Sequence, residues 1–106
     1  MSNYREMMHQ MLARRSNDVT FVVAALYKFV QLDDAPDLRA QLQARCDQAG
    51  VTGTILLAHE GINGTTAAPV PAMEQVLEWL QTDSRFDRMS LKFSASNTQP
   101  FLRMKV

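Results

Sequence analysis

The stretch Thr20–Val30, TFVVAALYKFV, constrains this chain more than any other. It is dense in β-branched and aromatic side chains, and both of its alternating faces are apolar. Phe21, Val23, Ala25, Tyr27 and Phe29 lie on one face; Val22, Ala24, Leu26 and Val30, with Lys28, lie on the other. Such a run fits a central strand covered on both sides. Its longest apolar stretch, Phe21–Leu26, is far short of the roughly 20 residues that a membrane-spanning helix requires. With 106 residues the chain has room for one core of ordinary size. The apolar and charged fractions, 46% and 21%, are those of a folded domain and not of a disordered one.

The remaining elements arrange themselves around that strand. Residues 3–15 place Tyr4, Met7, Met8, Met11 and Leu12 at helical spacing, which predicts a short amphipathic helix with a methionine-rich stripe. Arg14 and Arg15 fall in its last turn, and Ser16–Asp18 break the pattern. After the long strand, Leu32–Pro36 is an acidic turn. Asp34 or Ala35 is the expected N-cap, with Pro36 in the first turn, where its missing N–H costs nothing. Leu38, Leu42, Cys46 and Ala49 form one stripe of the following helix, and Gly50 is placed to close it in the left-handed region. Val51–His59 reads as a strand, Asn63-Gly64 as a hairpin turn, and Thr65–Ala68 as the return strand. Met73, Val76, Leu77 and Leu80 mark a second helix; Met89, Leu91 and Phe93 alternate with polar residues as a one-sided strand.

The order βαββαβ predicts an α+β, ferredoxin-like (acylphosphatase-like) sandwich: a four-stranded antiparallel sheet with two helices on one face, plus the N-terminal helix. The expected divisions are a helical extension over 1–18, the ferredoxin-like domain over 19–100, and the start of a strand or linker over 101–106. Because the first strand is apolar on both faces, its second face needs a cover: the methionine helix or a further domain.

Chemistry is sparse. Eleven basic residues balance eleven acidic ones, so long-range steering toward nucleic acid or membrane is weak. One cysteine, Cys46, excludes an intrachain disulfide and a cysteine-built metal site, and its place on an apolar helical stripe reads as packing. His9 and His59 lack metal-ligand spacing. Acylphosphatases share the topology, but phosphate cradling needs converging backbone N–H groups and a cation. Gln31–Pro36 offers neither glycine nor arginine and holds two carboxylates. No catalytic, cofactor or metal residue is assigned. The candidate contact loop is His59, Glu60, Gly61, Asn63 and Gly64. The candidate RNA or interdomain contacts are Lys28, Lys92, Arg103 and Lys105. Tyr27 and Phe29 share a face with Phe21 and Val23, which reads as core, and the glycine-aromatic pattern of RNA-recognition folds is missing.

Three stretches in order, VVAALYKFV at Val22–Val30, VTGTILLAHEGING at Val51–Gly64 and PFLRMKV at Pro100–Val106, carry a resemblance. Together they resemble the amino-terminal domain of the rhodanese-related, oxygen-dependent tRNA uridine(34) hydroxylases, over about residues 20–106. The resemblance implies a cytoplasmic tRNA-modifying oxidoreductase that uses molecular oxygen to convert wobble uridine to 5-hydroxyuridine. It implies a rhodanese domain following in cis, which carries the family's cysteine loop. Cys46 does not match that loop, so this chain alone is expected to be inactive, with no cofactor of its own. Its expected role is to help place tRNA or to dock the rhodanese domain. The alternatives are a stand-alone acylphosphatase-like enzyme, with His59-Glu60 as a conceivable acid–base pair, and a purely architectural module.

Overall fold

Strand pairing follows from where the chain can let two backbones approach. The computed structural model describes residues 4–13 and 21–106. Strand β1 (Phe21–Phe29) runs between β3 (Gly61–Ala68) and β4 (Ser90–Ser96), antiparallel to both. Strand β2 (Thr52–Ala58) pairs antiparallel with β3 on its other side. The sheet order is β4-β1-β3-β2, extended at the β2 edge by a two-residue strand, β5 (Met104–Lys105). The fold class is as expected, but the sheet has five strands and is mixed, because β5 lies parallel to β2. The residues 101–106 thus end in a strand of this sheet. Arg39 Nε donates to the Val106 carbonyl at 2.7 Å, and Gln43 accepts from the Val106 N–H at 3.1 Å.

Helices α2 (Ala35–Ala49) and α3 (Val70–Gln81) cover one face. The predicted stripes are buried except at Ala49, which is half-buried: Leu38, Leu42 and Cys46 from α2, and Met73, Val76, Leu77 and Leu80 from α3. They pack on Val22, Ala24 and Leu26 of β1, Ile55 of β2, Ile62 of β3 and Leu91 of β4, with Phe86 filling the end of the core. Each valine, leucine, isoleucine, phenylalanine or methionine among them contributes about 1.5–3 kcal/mol through removal from water. Gly50 ends α2 at φ 84°, its N–H bonded to the Cys46 carbonyl at 2.9 Å, as a left-handed C-cap requires.

The methionine helix α1 (Tyr4–Ala13) does not cover the second face. Met8 joins the common core, and Arg5 reaches Glu74 and Glu78 of α3, so α1 lies beside α3 on the helical side. Met7 is exposed. The expected break at Ser16–Asp18 and the boundary at 18–19 lie outside the described residues.

The hairpin also differs from expectation. Ala58 pairs with Gly61, so the turn is His59-Glu60, while Asn63 and Gly64 lie inside β3 opposite Leu56 and Ile55. No non-glycine residue among those described has a positive φ, which removes the Asn-Gly turn. The glycines serve close approach instead. A Cβ at Gly64 would sit 2.3 Å from the Thr54 carbonyl oxygen; one at Gly61, where φ is 150°, would sit 2.1 Å from that of Lys28. The segment just after β1 continues this hold on the turn: the N–H groups of Val30 and Leu32 donate to the Glu60 and His59 carbonyls at 3.1 and 2.9 Å.

Two strand-spacing tests follow. Gly61→Ala and Gly64→Ala each lower stability by roughly 1–3 kcal/mol, because backbone must shift to admit a methyl group. Asn63→Ser stays within about 0.5 kcal/mol, since Asn63 is exposed and needs no special φ. Urea denaturation midpoints at unchanged slope read both; equal sensitivity at Asn63 and Gly64 would return the turn to 63–64.

Candidate functional site

The face opposite the helices is built by the other parity of each strand. Register aligns Ser90, Tyr27, Asn63 and Leu56 in one row across it. The next row is Lys92, Ala25, Thr65, Thr54 and Lys105; beyond that come Ser94, Val23, Ala67 and Thr52. This surface is mostly small and polar, not the continuous apolar sheet face that β1 by itself suggested.

Its two ends differ. At the Val23 end, Ala67 is fully buried although it faces away from the helices. The connection 97–103 runs from β4 at one edge to β5 at the other, and Gln99 Nε2 donates to the Ala67 carbonyl at 3.1 Å on the way. The chain's own connection thus crosses this end, where Phe21 and Val23 are half-buried. At the opposite end Phe29 is 74% exposed, Leu56 64% and Tyr27 42%. The Tyr27 and Phe29 rings meet edge to face at 5.1 Å. With Lys28, Leu56, Ala58, Glu60, Gly61, Ile62 and Asn63 they line a shallow groove of about 240 Å³. The reading of Tyr27 and Phe29 as core is therefore corrected: among the described residues both are exposed, whereas Phe21 and Val23 at the other end are half-buried.

The structure brings some of the candidate residues together and separates others. His59 and Glu60 are exposed in the turn, whereas Gly61, Asn63 and Gly64 are strand residues, so the five do not form one loop. Gly61 and Asn63 border the groove; Gly64 pairs with Leu26 and Ile55, on the helical side. Lys92 and Lys105 share a row at opposite edges of the sheet. Lys28 pairs with Ile62, on the opposite parity from Tyr27 and Phe29, yet it is also among the residues that line the groove. Arg103 precedes β5, and its carbonyl accepts from the Gly53 N–H at 3.0 Å. The exposed Leu56 was missed in sequence; two leucines and an isoleucine in succession give no sign of which one faces out.

The acidic turn before α2 holds a cluster of another kind. Arg85 bonds Asp34 at 2.5 Å and Asp83 at 2.7 Å. Asp34 is the N-cap residue of α2, yet its carboxylate makes no cap bond and goes to Arg85 instead. The Arg85 guanidinium holds the Asp34 and Asp83 carboxyls below the usual carboxylate range, and both carboxylates push its own pKa up. Where an anion cradle would need a free cation, the cation here is engaged by two carboxylates. Burial pushes the Cys46 thiol up to about 12, with Asp47 adding to the shift, so Cys46 is a neutral packing group. Among the described residues no three His, Cys, Asp or Glu side chains are placed to hold a metal ion, and no helix is long and apolar enough to cross a membrane.

Comparison with known proteins places these features in context. Residues 21–106 match the family described as "UPF0176 acylphosphatase like domain". The chain is 50% identical over 86 residues to a protein named tRNA uridine(34) hydroxylase from Rhizobium leguminosarum bv. trifolii, covering 81% of this chain and 28% of that one. It is 50% identical over 80 residues to the protein of the same name from Cupriavidus necator, covering 76% and 28%. The chain thus spans little more than a quarter of the length of these relatives. Among solved structures it is similar to acylphosphatase from Bacillus subtilis, with TM-score 0.62, 14% identity, and 81% and 97% of the two chains covered. It is also similar to the BLUF protein BlrB, with TM-score 0.64, 19% identity, and 78% and 67% covered. At such identities the likeness is of fold alone.

The Asp34–Arg85–Asp83 cluster predicts an acid-sensitive contribution to stability. Both carboxyls have folded-state pKa values below their unfolded value of about 3.9, so the cluster stabilises fully above that pH and is lost as pH falls through the lower folded values. Arg85→Gln lowers the thermal midpoint at pH 7 and flattens its decline below about pH 4 relative to wild type. Parallel acid limbs in the two proteins would remove the cluster from the account.

Proposed function

Because the chain belongs to the UPF0176 acylphosphatase-like domain family, we propose that it is the amino-terminal, non-catalytic domain of an enzyme that hydroxylates uridine 34 of tRNA to 5-hydroxyuridine. The observation that carries this reading is half identity over 86 residues to proteins of that name, in which the matched segment is 28% of the length. Hydroxylation chemistry then resides in the remainder, a rhodanese-type domain joined in cis, with molecular oxygen as co-substrate and the cytoplasm as compartment. This domain's part is to place the tRNA or to seat the catalytic domain against it. The engaged Arg85 and the neutral, enclosed Cys46 support the assignment of chemistry elsewhere.

A graft tests the proposal. In a strain whose Rhizobium leguminosarum relative lacks its amino-terminal segment, fusing residues 1–106 in that place restores 5-hydroxyuridine at position 34, read by mass spectrometry of tRNA digests. The isolated chain gives none. Failure of the graft to restore the modification overturns the reading, as does acyl-phosphate turnover by the isolated chain that is lost in His59→Ala.

A further inference from the structure

The charges of this chain are sorted by element. All three lysines, Lys28, Lys92 and Lys105, lie on strands, and no strand carries an aspartate or glutamate. Apart from Glu60 in the hairpin turn, the carboxylates among the described residues sit on helices or on the turns that flank them. Zero net charge therefore conceals an open sheet face with cations at both edges and no strand carboxylate to oppose them. The exposed aromatic end of that face lies beside this cationic row.

Resting on the proposed tRNA role, we infer that the open face is a docking surface for a short single-stranded segment of RNA. Unpaired bases stack on Phe29 and Tyr27, and Lys92 and Lys105 reach the flanking phosphates. Every base has a π-face, so aromatic side chains exposed on a sheet accept bases without regard to sequence. Tyr27 and Phe29 are two residues apart on one strand, and their rings meet edge to face at 5.1 Å, so together they offer one compact aromatic platform to a base drawn out of its stack. The Lys92 row is one such step from Tyr27, within reach of a lysine stem. Asn63, between Tyr27 and Leu56, offers an amide to a base edge.

A protein occupant fits this face less well. Protein interfaces are depleted in lysine and serine, and this face is made of lysine, serine and threonine around one small aromatic end. A second copy related by a two-fold axis would bring the cationic face against itself. The groove's one carboxylate, Glu60, belongs to the hairpin turn, off the strand rows that carry the lysines.

The test titrates the 106-residue chain with fluorescein-labelled hexauridylate at about 50 and about 200 mM salt. Binding is measurable at the lower salt and weakens at the higher. Phe29→Ala and Tyr27→Ala each lose about tenfold or more in affinity. Lys92→Gln with Lys105→Gln lowers the log–log salt slope by about 1.4, the value for two phosphate contacts to a single strand. Arg45→Gln, on α2, leaves affinity unchanged. All the altered side chains are exposed, and unchanged thermal midpoints verify that the variants fold. The inference is overturned by no binding at the lower salt, or by aromatic variants that bind as wild type does. It is equally overturned if the Tyr27 and Phe29 ring signals in NMR spectra move on adding a rhodanese-type domain or on self-association but not on adding the oligonucleotide. In the grafted enzyme, restored modification that is indifferent to Phe29→Ala sinks this surface and leaves the tRNA role standing; failure of the wild-type graft sinks the role itself.

Discussion

Everything in this fold is positioned by β1, which is hydrogen-bonded along both of its edges. A strand in the middle of a sheet has no free backbone groups, so its neighbours must match its register over their whole length. Val22, Ala24 and Leu26 then face the helices, and Tyr27 and Phe29 must face away. The hairpin is bound into the same ladder, because the Glu60 and His59 carbonyls accept from Val30 and Leu32. Shifting β1 by one residue would turn its aromatic residues into the core and its core residues out to water.

The fold is similar to that of acylphosphatases, but the turn after β1 is built around carboxylates. That turn carries Asp33 and Asp34, and Arg85, just past the end of α3, bonds both Asp34 and Asp83. The cluster trades a possible binding cation for a clamp between two turns. Its contribution is modest, because all three side chains are partly exposed and solvent screens them. What distinguishes this sandwich lies on the other side of the sheet, where the connection 97–103 crosses one end and leaves the aromatic end bare.

The helices were legible because each is amphipathic with a stripe of ordinary apolar residues, and because Pro36 and Gly50 punctuate α2. The hairpin was misplaced for a definite reason. Asn-Gly is a turn signal only where both residues take positive φ; here Gly64 is small because Thr54 and Ile55 press on it, and Asn63 is an ordinary exposed strand residue. Charge and predicted strand adjacency point to Lys28 and Lys92, and basic alternation to Arg103 and Lys105. Parity then separated them, keeping Lys92 and Lys105 on one face and sending Lys28 to the opposite one. Tyr27 and Phe29 were misjudged because alternation tells which residues share a face and not what covers it.

Period and punctuation, which are local properties of the chain, determined the element types, the βαββαβ order and the helical half of the core. The resemblance carried by VVAALYKFV, VTGTILLAHEGING and PFLRMKV determined the family. Three things were decided only in three dimensions: the parallel fifth strand, the docking of α1 beside α3, and the passage of residues 97–103 across one end of the open face. Each depends on contacts between residues far apart in sequence, such as Gln99 with Ala67 or Arg39 with Val106. No local pattern encodes such a pairing, because its free energy exists only once the sheet has brought both partners together.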